Sequence, residues 1–396
     1  MSEWSEFWWT AITGPRNLCD KVSRALHNKI NVCLIVPDDL PWRNEMRACI
    51  ETEMHQMPDM ETFYVEFIDV EDDCPNINDV GRYILERYAP REIAAGYRGR
   101  EKLQKYILDR QVLDNRVLWV KGMNASQEKF WLQFCRDYVP ARDSDGRFVL
   151  EVKWTNEEYE HRNLTIIRYN DLIRRYDLTL FNSIYLNREK CAYSPIWQQY
   201  TAVMCSLLCN TDAETSQAFM EQCNFADEEP LVGMQIIAED SMYLRRGESN
   251  DQHILSLVRK KNTTSIEAQI WKAQLQILFP MLEIEKVAFV ERYRDQIREA
   301  LAERYYDFRT GHAQQICQFG DILNDPDDAE LGTIYRMTKL KRNVDLAQYL
   351  LYIPDEKSRL RIELLHDLRN SLAHGECCTI DKVAEFINLH PFDWEL

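Results

Sequence analysis

The run LRNSLAHG, Leu368–Gly375, brings a guanidinium, a carboxamide and an imidazole close together as Arg369, Asn370 and His374. An imidazole moves protons near neutral pH, and a guanidinium holds an anion through several donors at once. The surrounding segment, KSRLRIELLHDLRNSLAHGE, reads as an amphipathic helix. Leu360, Leu364, Leu365, Leu368 and Leu372 form an apolar stripe. Glu363, Asp367, Asn370 and His374 recur on the opposite side, within roughly one sixth of the circumference at about 100° per residue. Arg369 falls between the two stripes. Gly375 directly after His374 suits a helix end. No set of metal-ligand spacing lies nearby.

The elements that carry this run are helical. From about Ser194 onward the strand signal disappears, and PIWQQYTAVMCSLLC and the long EAQIWKAQLQILFPMLEIEKVAFVERYRDQIREALAERY keep helical periodicity. The first 186 residues differ. VCLIVP (32–37), TFYVEFIDV (62–70), RVLWVKG (116–122), FVLEVKW (148–154) and LTIIRY (164–169) read as strands. Helical stretches are expected between them at 41–57, 76–88, 98–111 and 126–138, the last with Ser126 as N-cap. Strands alternating with helices predict a mainly parallel sheet covered on both faces. A composition shift at Asn187–Pro195 and a polar break at Arg245–His253 suggest three parts. These are an α/β domain over 1–190, a helical middle region over 191–249, and a C-terminal helical domain over 250–396.

The string Arg369-Asn370-Ser371-Leu372-Ala373-His374 resembles the RNxxxH signature of HEPN domains, and the likeness spans about the last 80–140 residues. It implies an all-α bundle in which two such helices meet at a dimer interface. There, Arg369 and His374 would contribute to a composite RNA-cutting site that needs neither metal nor cofactor. The implied roles are general acid or base for His374, hold on the scissile phosphate for Arg369, and orientation of the pair for Asn370, with Glu363 and Asp367 in support. The attacking group would be the RNA 2′-hydroxyl. The family also includes members that use the motif to dimerise or to bind an inhibitor.

The α/β region resembles a degenerate ATPase core of the AAA or STAND kind. A phosphate-binding loop needs glycines for close backbone approach, then Lys and Ser/Thr. The one loop-like candidate, TGPRNLCDKV, puts Cys19, Asp20 and Lys21 where Gly, Lys and Ser/Thr belong, and it precedes the first strand. RVLWVKG ends in Lys121 and Gly122, with no magnesium-holding carboxylate. No nucleotide hydrolysis is expected here. Asp69, Glu71, Asp72 and Asp73 in FIDVEDD read as a solvated acidic loop, with a cation site as the alternative.

The whole chain, 396 residues with a net charge of −17, is not one that grips nucleic acid over its entire surface. Basic groups gather locally at Arg336, Lys339, Lys341 and Arg342, and at Arg259, Lys260 and Lys261. The 12 cysteines lack zinc spacing, and most sit in apolar stretches, such as Cys205 and Cys209, and read as buried reduced thiols. Trp4, Trp8 and Trp9 are expected to seal a core. No run of 18 apolar residues predicts a transmembrane helix, and a cytoplasmic location is expected. The resemblance implies an endoribonuclease effector of bacterial defence or toxin–antitoxin type, acting on RNA and self-associating or pairing with a partner protein through its C-terminal helices. The alternative is a non-enzymatic regulatory or assembly subunit that uses both domains for binding.

Overall fold

Five apolar runs become five parallel strands, each close to its expected place. They are β1 (Asn31–Ile35), β2 (Tyr64–Asp69), β3 (Arg116–Lys121), β4 (Arg147–Val152) and β5 (Leu164–Arg168), in the order β2-β3-β4-β1-β5. The computed structural model describes residues 3–153, 161–342 and 348–388; Trp154, expected to end the fourth strand, lies outside them. β1 sits between β4 and β5, with Cys33 opposite Leu150 and Ile166. β1 and β4 are buried throughout, while β2 at the edge is half exposed and carries Glu66 and Asp69. Such charges suit an edge strand because they discourage further pairing.

Helices cover both faces. One face packs Ile84, Ile107, Trp131, Phe134 and Phe148 into a core. At the N-terminus, α1 (Glu3–Ala11) buries Trp4, Trp8 and Trp9, as expected of a core seal. Their rings meet Phe181 edge-on at 5.9 Å from Trp4 and 5.5 Å from Trp8. α2 (Thr13–His27) and α3 (Arg43–His55) follow. α4 (Ala125–Asp137) begins one residue earlier than expected, and its N-cap lies two residues earlier. Asn124, not Ser126, is its N-cap, in a capping box with Gln127. The helix expected over 98–111 is only Leu103–Asp109.

The chain divides into two compact units. The first holds Met1–Tyr185 with two returning segments, Cys209–Gln217 and Arg246–Asn250; the second holds the rest. The middle region therefore contributes to both units.

In the second unit, α5 (Thr263–Arg292), α6 (Leu331–Lys339), α7 (Glu356–Ala373) and α8 (Ile380–Asn388) surround the LRNSLAHG run. Two small hairpins interrupt the helices, a correction to the all-helical expectation: β6 (Tyr305–Asp307) with β7 (His312–Gln314), and β8 (Cys317–Gln318) with β9 (Asp321–Ile322). The second closes through Phe319 and Gly320, both at positive φ, as a two-residue hairpin turn requires. No helix among the described residues is long and apolar enough to cross a membrane.

The apolar stripe of α7 also needs a correction. Leu364, Leu365, Leu368 and Leu372 are buried, but Leu360 is 58% exposed. Ile362 and Arg361 face inward instead. Arg361 is accommodated because Glu285 accepts from its Nε at 2.8 Å and its Nη2 at 2.5 Å, and the Phe386 carbonyl accepts at 3.0 Å. A buried guanidinium needs such partners.

Candidate functional site at the end of helix α7

α7 starts where Asp355 accepts from the Ser358 N–H at 2.8 Å. It ends at His374, the C-cap, followed by Gly375 at φ 79°. Glu376 N–H donates to the Ser371 carbonyl at 2.9 Å, and Gly375 N–H donates to that of Leu372 at 3.3 Å. This pair of bonds is a Schellman cap, which needs a left-handed residue at its turn. The Trp271 indole N–H from α5 also donates to the Leu372 carbonyl, at 2.8 Å. The backbone under Arg369, Asn370 and His374 is thus fixed from two sides.

The side chains divide into two places. Arg369 lies 3.7 Å from Glu330, with side chains 31% and 42% exposed, a loose surface ion pair. His374 is exposed and has no polar partner among the described residues. The structure does not bring Arg369 and His374 into contact. Five residues apart, they point roughly 140° from each other by helical geometry.

Asn370, Glu363 and Asp367 belong instead to a polar cluster that also contains His366, a residue the sequence reading passed over. The Asn370 amide nitrogen lies 3.0 Å from His366 Nε2. The Tyr335 ring stacks on the imidazole, with centroids 4.0 Å apart and planes at 22°. The Tyr335 hydroxyl donates to Glu363 at 3.2 Å, and Lys339 approaches Glu363 at 3.4 Å. Asp367 is gripped by Lys382 of α8 at 2.9 Å. The Lys382 ammonium holds the Asp367 carboxyl below its ordinary value. His366 Nδ1 faces Asp367 at 3.5 Å, too far for a good hydrogen bond, and has no closer partner. The spacing of His366 and Asn370, i and i+4, was the available sequence signal. Tyr335 comes from a different helix, and no local pattern announces it.

Two of the basic groups near this helix are already neutralised. Lys339 pairs with Glu363, and Arg342 pairs with Glu303 at 2.8 Å. Lys341 lies over the Tyr349 ring at 3.2 Å. In the other basic run, Lys260 pairs with Asp251.

In the α/β unit, TGPRNLCDKV is not a loop. Thr13 begins α2, and the Gly14 N–H donates to Asp177 Oδ1 at 3.0 Å. A helix start of this kind attracts anions, and here the anion is the buried Asp177 carboxylate. A Cβ on Gly14 would fall 2.6 Å from Asp177 Oδ2, so the close approach requires glycine.

In open α/β sheets ligands bind beyond the carboxyl ends of the strands, where the strand order reverses. The loop after β1, Val36–Trp42, occupies that position and is also tied down. The Trp42 N–H at the start of α3 donates to Glu214 at 2.9 Å. Arg246 donates to the Asp39 carbonyl at 3.0 Å and to Asp212 at 2.9 Å, and also bonds Glu214. A crevice of about 560 Å³ opens at the same strand ends. Its ionisable lining is Arg43, Lys153, Glu71, Glu128 and Glu151, three carboxylates against two cations, a poor match for polyphosphate. In the acidic run, Asp69 pairs with Lys121 and Asp73 with Arg87, while Glu71 and Asp72 are exposed. The thiols expected to be buried at Cys205 and Cys209 are buried, whereas Cys191 and Cys317 are exposed, a correction to a buried reading of every thiol. Compared with known proteins, the chain matches no family model, and no curated protein is detectably similar to it.

Proposed function

We propose that the chain is a HEPN-like endoribonuclease effector whose composite site assembles from two copies of the α7 end and works without metal. The observation that carries this reading is the placement of Arg369 and His374. Both lie on a rigidly capped helix end, neither is buried in a core, and they do not satisfy each other. A second copy would bring one chain's imidazole to the other chain's guanidinium. His374 then moves the proton, and Arg369 steadies the charge that develops on the phosphate. Asn370 orients the pair. The α/β unit acts as a non-hydrolysing ATPase-like control domain.

The test is incubation of single-stranded RNA with the full chain in chelator. His374→Ala is expected to abolish cleavage with little change in melting temperature, since the side chain is exposed. Arg369→Ala should lower kcat by about 10²–10³, the loss typical of one preorganised charge-stabilising donor. Cleavage that survives His374→Ala, or that requires magnesium, overturns the reading.

A second reading has its own support. The α2 and α3 starts are filled by Asp177 and Glu214, and Arg369 already has Glu330 as a partner. These features suit a non-enzymatic assembly subunit. Wild-type chain that self-associates but cuts no RNA, with or without any partner, would decide for it.

A further inference from the structure

His366 is the one histidine of α7 held among partners, and the role assigned to His374 leaves it unused. Its side chain is 20% exposed, with Tyr335 stacked on one face of the ring and Asp367 beside its edge. Charged groups approach from three helices, Lys339 from α6, Glu363 and Asp367 from α7, and Lys382 from α8. With Lys382 fixing Asp367 as a carboxylate, the proton of a neutral imidazole is best placed on Nδ1, toward that charge. Nε2 is then an acceptor, and the Asn370 amide N–H₂, 3.0 Å away, is its donor.

This assignment has a consequence for Asn370. A carboxamide has a donor end and an acceptor end that differ little in shape. Binding the nitrogen to His366 leaves the oxygen without a bond to the polar cluster. No other hydrogen bond of the Asn370 side chain is present among the described residues. We propose that His366 is a positioning residue that, through its Nε2, fixes Asn370 with its carbonyl oxygen as the outward-facing acceptor at the RNA-binding end of α7. The inference rests on the ribonuclease reading for its functional consequence, but its structural core is the His366–Asn370 bond. An outward acceptor fits a hydroxyl or amine donor on the substrate, such as the ribose 2′-hydroxyl, and disfavours a bare phosphate oxygen at that point.

Two measurements on the full chain test it. The first is a long-range ¹⁵N–¹H correlation spectrum of histidine-labelled chain, compared with the His366→Gln variant to assign the signal. The expected result is a His366 Nε2 that carries no proton, with the ring proton on Nδ1, and a shift of the Nε2 signal in Asn370→Ala. A proton on Nε2, or no response to Asn370→Ala, overturns the proposal. The second is RNA cleavage by His366→Phe, which keeps the stack on Tyr335 and loses the acceptor, and by His366→Gln, which keeps an acceptor near Nε2. His366→Phe should lower kcat by up to about 100-fold with KM little changed, as small misplacements at reacting groups do. His366→Gln should recover most of that loss. In an Asn370→Ala background, adding His366→Phe should change kcat less than about twofold, because the two act as one unit. Fully additive losses overturn the positioning role. If no RNA is cut but the spectrum shows the Nδ1 proton and the Asn370 response, the ribonuclease reading fails and the His366–Asn370 assignment stands. If RNA is cut and the spectrum or the cycle is negative, the reverse holds.

Discussion

Glu151, near the carboxyl end of β4 with its side chain 3% exposed, collects Arg47 at 2.7 Å, Arg43, and the Trp119 indole at 2.8 Å. Burial alone would raise its pKa, but the Arg47 and Arg43 guanidiniums outweigh burial and hold it below the ordinary glutamate value. A depressed carboxylate contributes stability above its unfolded pKa, about 4.3 for glutamate, and that contribution is lost as pH falls from there through the lower folded value. Glu151→Ala leaves two guanidiniums beside a vacated buried site and should cost about 3–5 kcal/mol near neutral pH. Urea midpoints followed downward from pH 6 should converge, the wild type losing its advantage below about pH 4.3. Parallel acid limbs would show that Glu151 is not the group responsible. Leu368→Ala, by contrast, removes a fully buried side chain and should cost roughly 2–5 kcal/mol at every pH. At this scale the sequence was a partial guide. The amphipathic face of α7 named Leu364, Leu365, Leu368 and Leu372 correctly. It missed that Arg361 would point inward, because the partners that permit it, Glu285 and the Phe386 carbonyl, lie on other helices.

Among the elements, the five parallel strands were legible because a strand buried on both faces is a bare apolar run, and such runs are hard to disguise. β8 and β9 were not, because strands of two residues are too short to show alternation. Their only trace was the Phe319-Gly320 turn. Helix ends were read where glycine marked them, as at Gly375, and misjudged where two polar residues competed, as at Asn124 and Ser126. Two predictions belong here. Gly375→Ala forces a Cβ into a left-handed residue and should cost roughly 1–2 kcal/mol in thermal melts. A cost near zero would mean that the Schellman cap is not held in solution. Asp177→Ala removes the carboxylate from the start of α2 and should destabilise by about 1–3 kcal/mol, the penalty for a stranded buried donor. The vacated helix start should not recruit ATP, because the Lys and Ser/Thr of a phosphate loop are still missing. A melting temperature of the Asp177→Ala variant raised by magnesium-ATP would contradict that.

For the molecule as a whole, the ribonuclease proposal requires two copies or a homologous partner, since Arg369 and His374 do not meet within one chain. Light scattering on the purified chain should therefore give a two-fold assembly, and a strict monomer with no partner would count against a composite site. A boundary near residue 190 looked natural from composition. The fold is less divisible, because Asp212, Glu214 and Arg246 return to hold the loop after β1. That return could not be read from sequence, as its residues carry no motif and act only by where the chain folds back. A fragment of residues 1–190 should accordingly melt below the full chain's first unit and expose the 36–42 loop to proteolysis. Equal protection of that loop in fragment and full chain would deny Arg246 its structural role.

The span of that link also sets a schedule. The Asp39 carbonyl is bonded by an arginine 207 positions later in the chain. At roughly 5–20 residues per second, translation delivers the loop about 10–40 s before its clasp. In the last part of that interval, once β5 has been made, the sheet has all its strands but still lacks the arginine that secures the β1 end. A nascent chain paused between β5 and Arg246 is therefore the form most open to chaperones and proteases. Synonymous codons that change elongation rate over 170–246 should alter yield without altering a single contact.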